Sequence, residues 1–323
     1  MILKLSTKPF SFNLLRNLET AQGIIKKREG WLIRLQNETG ELGWGEISPF
    51  KTSEKKICAQ ILRDLGSTPS LETLEQRIKK GPGVISFAFG SAIAEIDSLI
   101  KNKPIQKWLT VSSSAVLLPT KQSLLLKTLD SILSSQIEPK EGFTFKWKVA
   151  HYSNECELNL LQTILSILPN NCKLRIDANG GWSRNQANYW AHELQSEPRL
   201  EWLEQPLTAN DIAGLEELAK NIPVALDESL IYNPSLRDSW KGWQIRRPSI
   251  DGDPRILLKE LNNNNSYRAI STSFETGIGM RWVEHLAKLQ QQTQTPTKPG
   301  LAPGWRPKSP LFSNNPQDVW EAA

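Results

Sequence analysis

The sequence predicts an α/β protein, with βα units closing into a TIM-type barrel behind a smaller α+β unit. Three observations predict it. First, five polar clusters each end a short apolar run: Phe145-Lys146-Trp147-Lys148, Arg175-Ile176-Asp177-Ala178-Asn179, Glu201 to Pro206, Ala225 to Ser229 and Ile245-Arg246-Arg247-Pro248. Second, Lys148, Asp177, Glu204, Asp227 and Arg247 are spaced by 29, 27, 23 and 20 residues, about one strand, one helix and their loops. Third, the 323 residues suffice for one barrel and an appended domain.

Residues 1 to about 105 read as the α+β unit. Trp31–Gln36 and Glu41–Ile47 alternate as two strands, and Asn37 to Gly40 supplies the turn. Ser53–Gly66 and Leu71–Lys80 have helical spacing. Ser70 is placed to cap the second helix and Gly81-Pro82-Gly83 to stop it. The apolar run Val84–Ile100 contains Glu95 and Asp97, so it reads as a buried helix rather than a membrane span.

From about residue 110 strand and helix patterns alternate. Strands are expected near Ala115–Leu118, Thr144–Val149, Lys173–Asp177, Leu200–Glu204, Val224–Asp227, Gly242–Arg247 and Arg268–Ser273. That is one βα unit short of a full barrel. The eighth strand is degenerate or hidden after Leu286. The tail from Gln290 to Pro316 is rich in Pro, Gly, Thr and Gln; it is expected to run over the surface and return to the N-terminal unit.

Bulk properties exclude several classes. The apolar content of 39% is supplemented by 12 Trp, each able to bury a large area. Cys58, Cys156 and Cys172 form no C-x-x-C pair, which argues against a disulfide framework or a zinc site and for a reducing, cytoplasmic setting. No signal peptide is visible at the N-terminus. The net charge is +5, but Lys26-Lys27-Arg28 and Lys79-Lys80 are far apart without interleaved aromatics, so nucleic-acid binding is not expected.

Side chains two apart on a strand share a face. Lys146 and Lys148 therefore point into the barrel, as do Arg175 and Asp177, while Trp147 and Ile176 face the helices. Buried lysines require carboxylates or an anionic ligand, and Asp177, Glu204 and Asp227 are at hand. Three oxygen donors from three strand ends suit Mg²⁺; the alternative is a salt-bridge network without metal. A lysine beside Mg²⁺ and another cation can act as a base near neutral pH.

These residues resemble the enolase superfamily, in its muconate-lactonizing-enzyme-like group. The K-x-K of Lys146 and Lys148, the R-x-D-A-N of Arg175–Asn179, Glu204-Gln205-Pro206 and Asp227-Glu228-Ser229 fall in family order. Gly43 to Pro49 and Ser271 to Gly279 add to the likeness. The resemblance implies an N-terminal α+β capping domain (1–105, completed by 290–323) on a modified (β/α)7β barrel (106–289). It implies Mg²⁺, with Mn²⁺ as a substitute, on Asp177, Glu204 and Asp227. It implies that Lys148 removes an α proton and then helps expel hydroxide as water, with Lys146 holding the substrate carboxylate. The expected reaction is the dehydration of a hydroxylated cyclohexadiene carboxylate on the way to menaquinone or phylloquinone. The rival readings are a cycloisomerase, an N-acylamino acid racemase-like enzyme or a catalytically silent binding protein.

One residue departs from the family pattern: Arg247-Pro248 stands where Lys-Pro is usual. Arg is a poor base, so this change argues against two-base racemases. A one-base dehydratase needs only a cation there. Arg175 and Asn179 are expected to line the site, the alternative for Arg175 being a salt bridge. Ser271 and Ser273 are expected to bind a second substrate carboxylate, the alternative being loop capping. Thr20 to Gly23 is either a lid loop or a plain turn. The expected partner is a small anionic substrate, with no membrane insertion and a monomeric or weakly homo-oligomeric chain.

Overall fold

The computed structural model describes residues 1–20, 23–98, 108–135 and 142–323. The N-terminal unit holds an antiparallel sheet ordered β1 (Lys4–Thr20), β2 (Gly23–Gln36), β3 (Leu42–Ile47), followed by α1 (Thr52–Leu65), α2 (Leu71–Lys80) and α3 (Gly83–Ile96). The two expected strands lie in β2 and β3. The expected Leu71–Lys80 helix is α2, whose Thr73 amide donates to Ser70 Oγ at 3.1 Å. Sequence patterning does not predict β1. Phe10, Phe12 and Leu14 alternate inward and are buried, but Pro9 and a register shift between Asn13 and Leu18 blur the signal. Thr20 pairs with Gly23 across the hairpin end. Ala21 and Gln22, on which the lid reading of Thr20 to Gly23 depends, lie outside the described residues.

Helix α3 is apolar on nearly every side because it is covered on every side. A Cβ on Gly43 would stand 1.9 Å from the Ala92 carbonyl oxygen, and one on Gly45 2.0 Å from that of Ala88. The two glycines of β3 and the two alanines one turn apart on α3 thus let helix and sheet touch at backbone distance. The polar exception, Glu95, accepts from Arg281 Nη2 at 2.6 Å and from Trp282 Nε1 at 3.1 Å, which ties α3 to the second unit.

That second unit is a parallel sheet of seven strands, neighbours in chain order: β4 (Val116–Leu117), β5 (Thr144–Lys148), β6 (Lys173–Asp177), β7 (Leu200–Glu204), β8 (Val224–Leu226), β9 (Trp243–Arg246) and β10 (Arg268–Ile270). Its helices are α4 (Gln122–Leu133), α5 (Asn154–Ile167), α6 (Arg184–Leu194), α7 (Ile212–Leu218), α8 (Glu228–Tyr232), α9 (Leu236–Ser239), α10 (Pro248–Asp251), α11 (Pro254–Asn262) and α12 (Gly277–Gln290); α13 (Pro316–Ala322) follows in the tail. Trp147 and Ile176 pack outward against the helices in the main apolar cluster. Trp202, Ala225, Ile245 and Ala269 form a small separate cluster contributed by four adjacent strands.

The tail corrects the expectation of a surface run. Gly300 N donates to Ile270 O at 2.8 Å and Thr272 N to Gly300 O at 3.0 Å, while Ala115 N donates to Pro299 O at 2.9 Å. Residues 299–300 therefore bond to the last strand on one side and to the residue preceding β4 on the other. This is the hidden eighth position of the curled sheet. It escapes pattern reading because a proline occupies it and only one bridge, Ser271 with Gly300, has regular strand pairing. Beyond it the tail lies on the N-terminal sheet: Leu15 N donates to Trp305 O at 3.1 Å, and Lys8 Nζ to Trp320 O at 2.9 Å.

A buried acid joins the two units. Glu46 of β3 is fully buried at the N-terminus of α12, where it accepts from Thr276 Oγ1 at 2.6 Å and from Gly279 N at 3.1 Å. Burial pushes its carboxyl up to about 7; the Thr276 hydrogen bonds oppose this and the charge of Glu275 adds to it. A carboxyl raised in the folded state stabilises most below its unfolded pKa, and that contribution is lost as pH rises through about 7. From this group stability should fall by about 3 kcal/mol at most between pH 5 and pH 8. Glu46→Gln should flatten that part of the slope, measured by urea unfolding across pH; an unchanged slope would show that Glu46 does not cause it.

Candidate active site

Strand register builds the site in two layers. Lys148, Asp177 and Glu204 are successive partners across β5, β6 and β7, and Lys146, Arg175 and Trp202 are successive partners one layer below. Asp227 follows β8 and Arg247 follows β9. Past these strand ends the chain turns sharply, and Ala150, Asn179, Gln205 and Phe274 all adopt positive φ, at 63°, 45°, 37° and 67°. Such backbone is strained for residues other than Gly and Asn, at roughly 1–3 kcal/mol each, and strain of this kind gathers at functional sites.

A charge network links the two layers. Lys146 Nζ lies 2.8 Å from Asp177 Oδ2 and 2.6 Å from Glu204 Oε1. Lys148 Nζ lies 3.2 Å from Asp177 Oδ2 and donates to Asn179 Oδ1 at 2.5 Å. Arg247 grips Asp227 with two bonds, Nε to Oδ1 at 2.9 Å and Nη2 to Oδ2 at 2.5 Å, and donates Nη1 to Thr272 O at 2.9 Å. Burial alone would lower the Lys146 pKa, but the Asp177 and Glu204 carboxylates outweigh it and hold the ammonium charged. Burial likewise opposes ionisation of Asp177, and Lys146 with Lys148 overcomes it, so its carboxyl stays well below the usual range. Glu204 is raised by burial and by the charges of Asp177 and Asp227, with Lys146 opposing. Arg247 is raised by Asp227 against its own burial.

Lys146, Lys148, Arg247, Thr272 and Phe274 line one cavity, together with Gly300 of the closing segment. Arg246 faces the other way and pairs with Asp251 at 2.8 Å and Glu260 at 2.9 Å. The strand register thus makes Arg247 the cavity residue.

Three expected substrate residues take other partners or positions. Arg175 borders the cavity, but its Nε bonds Glu201 Oε2 at 2.6 Å, its Nη2 donates to Thr297 Oγ1 at 2.6 Å and Lys298 O at 2.7 Å, and its guanidinium lies 4.1 Å from the Trp202 ring centroid. These contacts brace the floor against the tail, the salt-bridge alternative. Ser273 is fully buried and not among the lining residues; its amide donates to Glu275. Ser271 does line the cavity, yet its hydroxyl donates to Gly300 O at 3.2 Å, which is loop capping. Sequence reading missed Gln205, whose side chain accepts from Asp227 N and Ser229 N and donates to Leu207 O and Ser229 Oγ. It also missed Glu228. The only signal for either was adjacency to Glu204 and Asp227.

The donor chemistry of Asp177, Glu204 and Asp227 suits a hard divalent cation. Among the described residues no three His, Cys, Asp or Glu side chains are gathered into a metal-holding group; Lys146 and Arg247 take up the carboxylate oxygens instead. Electrostatics still favours an added cation. Glu228 Oε2 is buried with no partner, and burial together with the Asp227 and Asp177 charges pushes its carboxyl up to about 8.

Comparison with known proteins agrees with this architecture. Residues 136–239 match the family described as Enolase C-terminal domain-like. The o-succinylbenzoate synthase of Thermosynechococcus vestitus (strain NIES-2133 / IAM M-273 / BP-1) is 29% identical over 85% of this chain and 85% of that protein. An L-Ala-D/L-amino acid epimerase of Populus trichocarpa is 26% identical over 88% of this chain and 74% of that one. Among solved structures, o-succinylbenzoate synthase from Thermosynechococcus elongatus BP-1, complexed with Mg in the active site, superposes with a TM-score of 0.77 at 26% identity, covering 99% of this chain and 100% of that one. The L-Ala-D/L-Glu epimerase of Bacillus subtilis shares the fold at a TM-score of 0.68 and 19% identity, covering 94% and 90%.

Proposed function

We propose that the chain is a member of the enolase superfamily and, within it, an o-succinylbenzoate synthase, a carbon–oxygen lyase that dehydrates 2-succinyl-6-hydroxy-2,4-cyclohexadiene-1-carboxylate. The observation that carries the reading is the pairing of one lysine, Lys148, at the cavity with a fixed guanidinium, Arg247, where a second base would stand. One base suffices for dehydration. Lys148 takes the ring proton α to the carboxylate; the C–H electron pair is delocalised towards the carboxylate. The resulting ammonium gives its proton to the departing hydroxyl, the C–O bond breaks, water leaves and the ring becomes aromatic. Lys146 holds positive charge beside the substrate carboxylate, and Arg247 presents a cation to the ring.

Asp177, Glu204 and Asp227 are the residues that would hold Mg²⁺, with Mn²⁺ as a substitute. Bound there, the ion would offset negative charge developing on the substrate carboxylate. The same reading divides the chain into a capping domain of 1–105 with 290–323 and a barrel domain of 106–289. The junction at 105 lies outside the described residues, and residues 299–300 serve the barrel. It also places the protein in the cytoplasm as a monomer or weak homo-oligomer acting on a small anion in menaquinone or phylloquinone synthesis. Cys58, Cys156 and Cys172 form no disulfide, and among the described residues no helix is long and apolar enough to cross a membrane.

The test is an assay with the cyclohexadiene substrate, following aromatic product absorbance before and after chelation. Turnover should appear with Mg²⁺, fall to background in the metal-free protein and return on adding the ion. No turnover with Mg²⁺ would reject the synthase, and full activity in the metal-free sample would reject the metal assignment.

A further inference from the structure

We propose that Asn179 and Glu228 form a positioning relay that aims Lys148, an inference resting on the reading of Lys148 as the base. A lysine ammonium sits on a flexible four-carbon stem with three donors. A reacting group misplaced by about 1 Å can cost about a hundredfold in rate. Two of the Lys148 donors are engaged, one with Asp177 Oδ2 at 3.2 Å and one with Asn179 Oδ1 at 2.5 Å. The third is left for the cavity that Lys148 lines.

Asn179 is itself fixed through its side chain and its backbone. Its Nδ2 donates to Glu228 Oε1 at 3.1 Å, which fixes the amide so that Oδ1 faces Lys148. Its backbone N–H donates to Asp177 Oδ1 at 3.0 Å. Its φ of 45° lies in the left-handed region, which Asn tolerates better than most residues. Glu228 opens α8 directly after Asp227, so the relay joins the ends of β5, β6 and β8 through one amide. A side chain needed only for local folding has no reason to bond both the lysine and an otherwise half-satisfied buried carboxylate. Asn179 thus acts through Lys148, and Glu228 acts through Asn179.

The experiment compares Asn179→Ala, Glu228→Ala and Glu228→Gln with the unmodified protein, under saturating Mg²⁺. Asn179→Ala should lower kcat by about 30-fold with KM changed less than about threefold, as for a misaimed base. Glu228→Ala should lower kcat by about tenfold, and Glu228→Gln, which keeps an acceptor for Asn179 Nδ2, should restore it to within about threefold. A kcat within threefold for both alanine variants, or a loss confined to KM, overturns the relay. A second readout needs no turnover: trace labelling of lysines with acetic anhydride, quantified by peptide mass spectrometry. Both alanine variants should change labelling of Lys148 more than about threefold while leaving surface lysines unaltered; unchanged labelling overturns the relay. If the unmodified protein fails to dehydrate the substrate, the proposed function falls and the labelling alone decides the relay. Should Asn179→Ala not fold, the Glu228 pair carries the same test.

Discussion

Lys148→Ala is expected to lower kcat by about 10²–10⁴-fold, the range for loss of a positioned acid–base group, with thermal stability and substrate affinity nearly unchanged. The structure gives the reason for the split. Asp177 keeps its other partner, Lys146 at 2.8 Å, when Lys148 is removed, so no buried charge is stranded. Lys146→Ala should behave differently. It would leave Asp177 and Glu204, both almost fully buried, without the ammonium between them, and breaking such a pair costs about 3–5 kcal/mol. Retention of more than a few percent of kcat in Lys148→Ala would remove it from the base role. Equal loss of stability in the two variants would show that both lysines are structural.

Arg247 yields the second large effect. Its fork occupies both oxygens of Asp227, which is buried, while Arg247 itself is partly buried. Arg247→Ala should therefore cost about 3–5 kcal/mol of stability and reduce dehydration well over tenfold. Arg247→Lys keeps the charge and should hold dehydration within about tenfold, or about 1.4 kcal/mol in barrier. The guanidinium stays protonated beside Asp227, so it cannot return a proton to the opposite face. The unmodified protein should exchange an α proton with solvent deuterium on one face only and racemise N-acylamino acids poorly. Rapid racemisation, followed by polarimetry, would overturn the one-base mechanism.

The barrel strands and their inward faces were legible because parallel strands follow short rules. Apolar runs of fixed spacing locate β5 to β9, and alternation alone puts Lys146, Lys148, Arg175 and Asp177 on one side. What those side chains bond to was not legible. Arg175 meets Thr297 and Lys298 because a distant tail passes beneath it, and no local pattern encodes that encounter. Glu228 and Gln205 were hidden for a related reason: each gains its role from a turn at unusual φ or from the strand beside it. Strand β1 was obscured by its own proline and register shift. Residues 299–300 were hidden because they satisfy hydrogen bonds from neighbouring strands without any alternation of their own.

That closing segment also bears on how the molecule comes together. Ser114 Oγ reaches Pro299 O across 185 positions of chain, and the same tail then covers the N-terminal sheet, Trp305 against Phe12 of β1 and Trp320 against Trp44 of β3. Contacts so far apart in sequence govern the speed of folding far more than the depth of the final minimum. Until the tail arrives, β10 and the residue before β4 present unpaired edges, and the apolar face of β1 is uncovered. Such edges are where wrong partners add on. The clasp of the ring is therefore a kinetic vulnerability: slow docking exposes the nascent barrel to aggregation even where the finished one is secure.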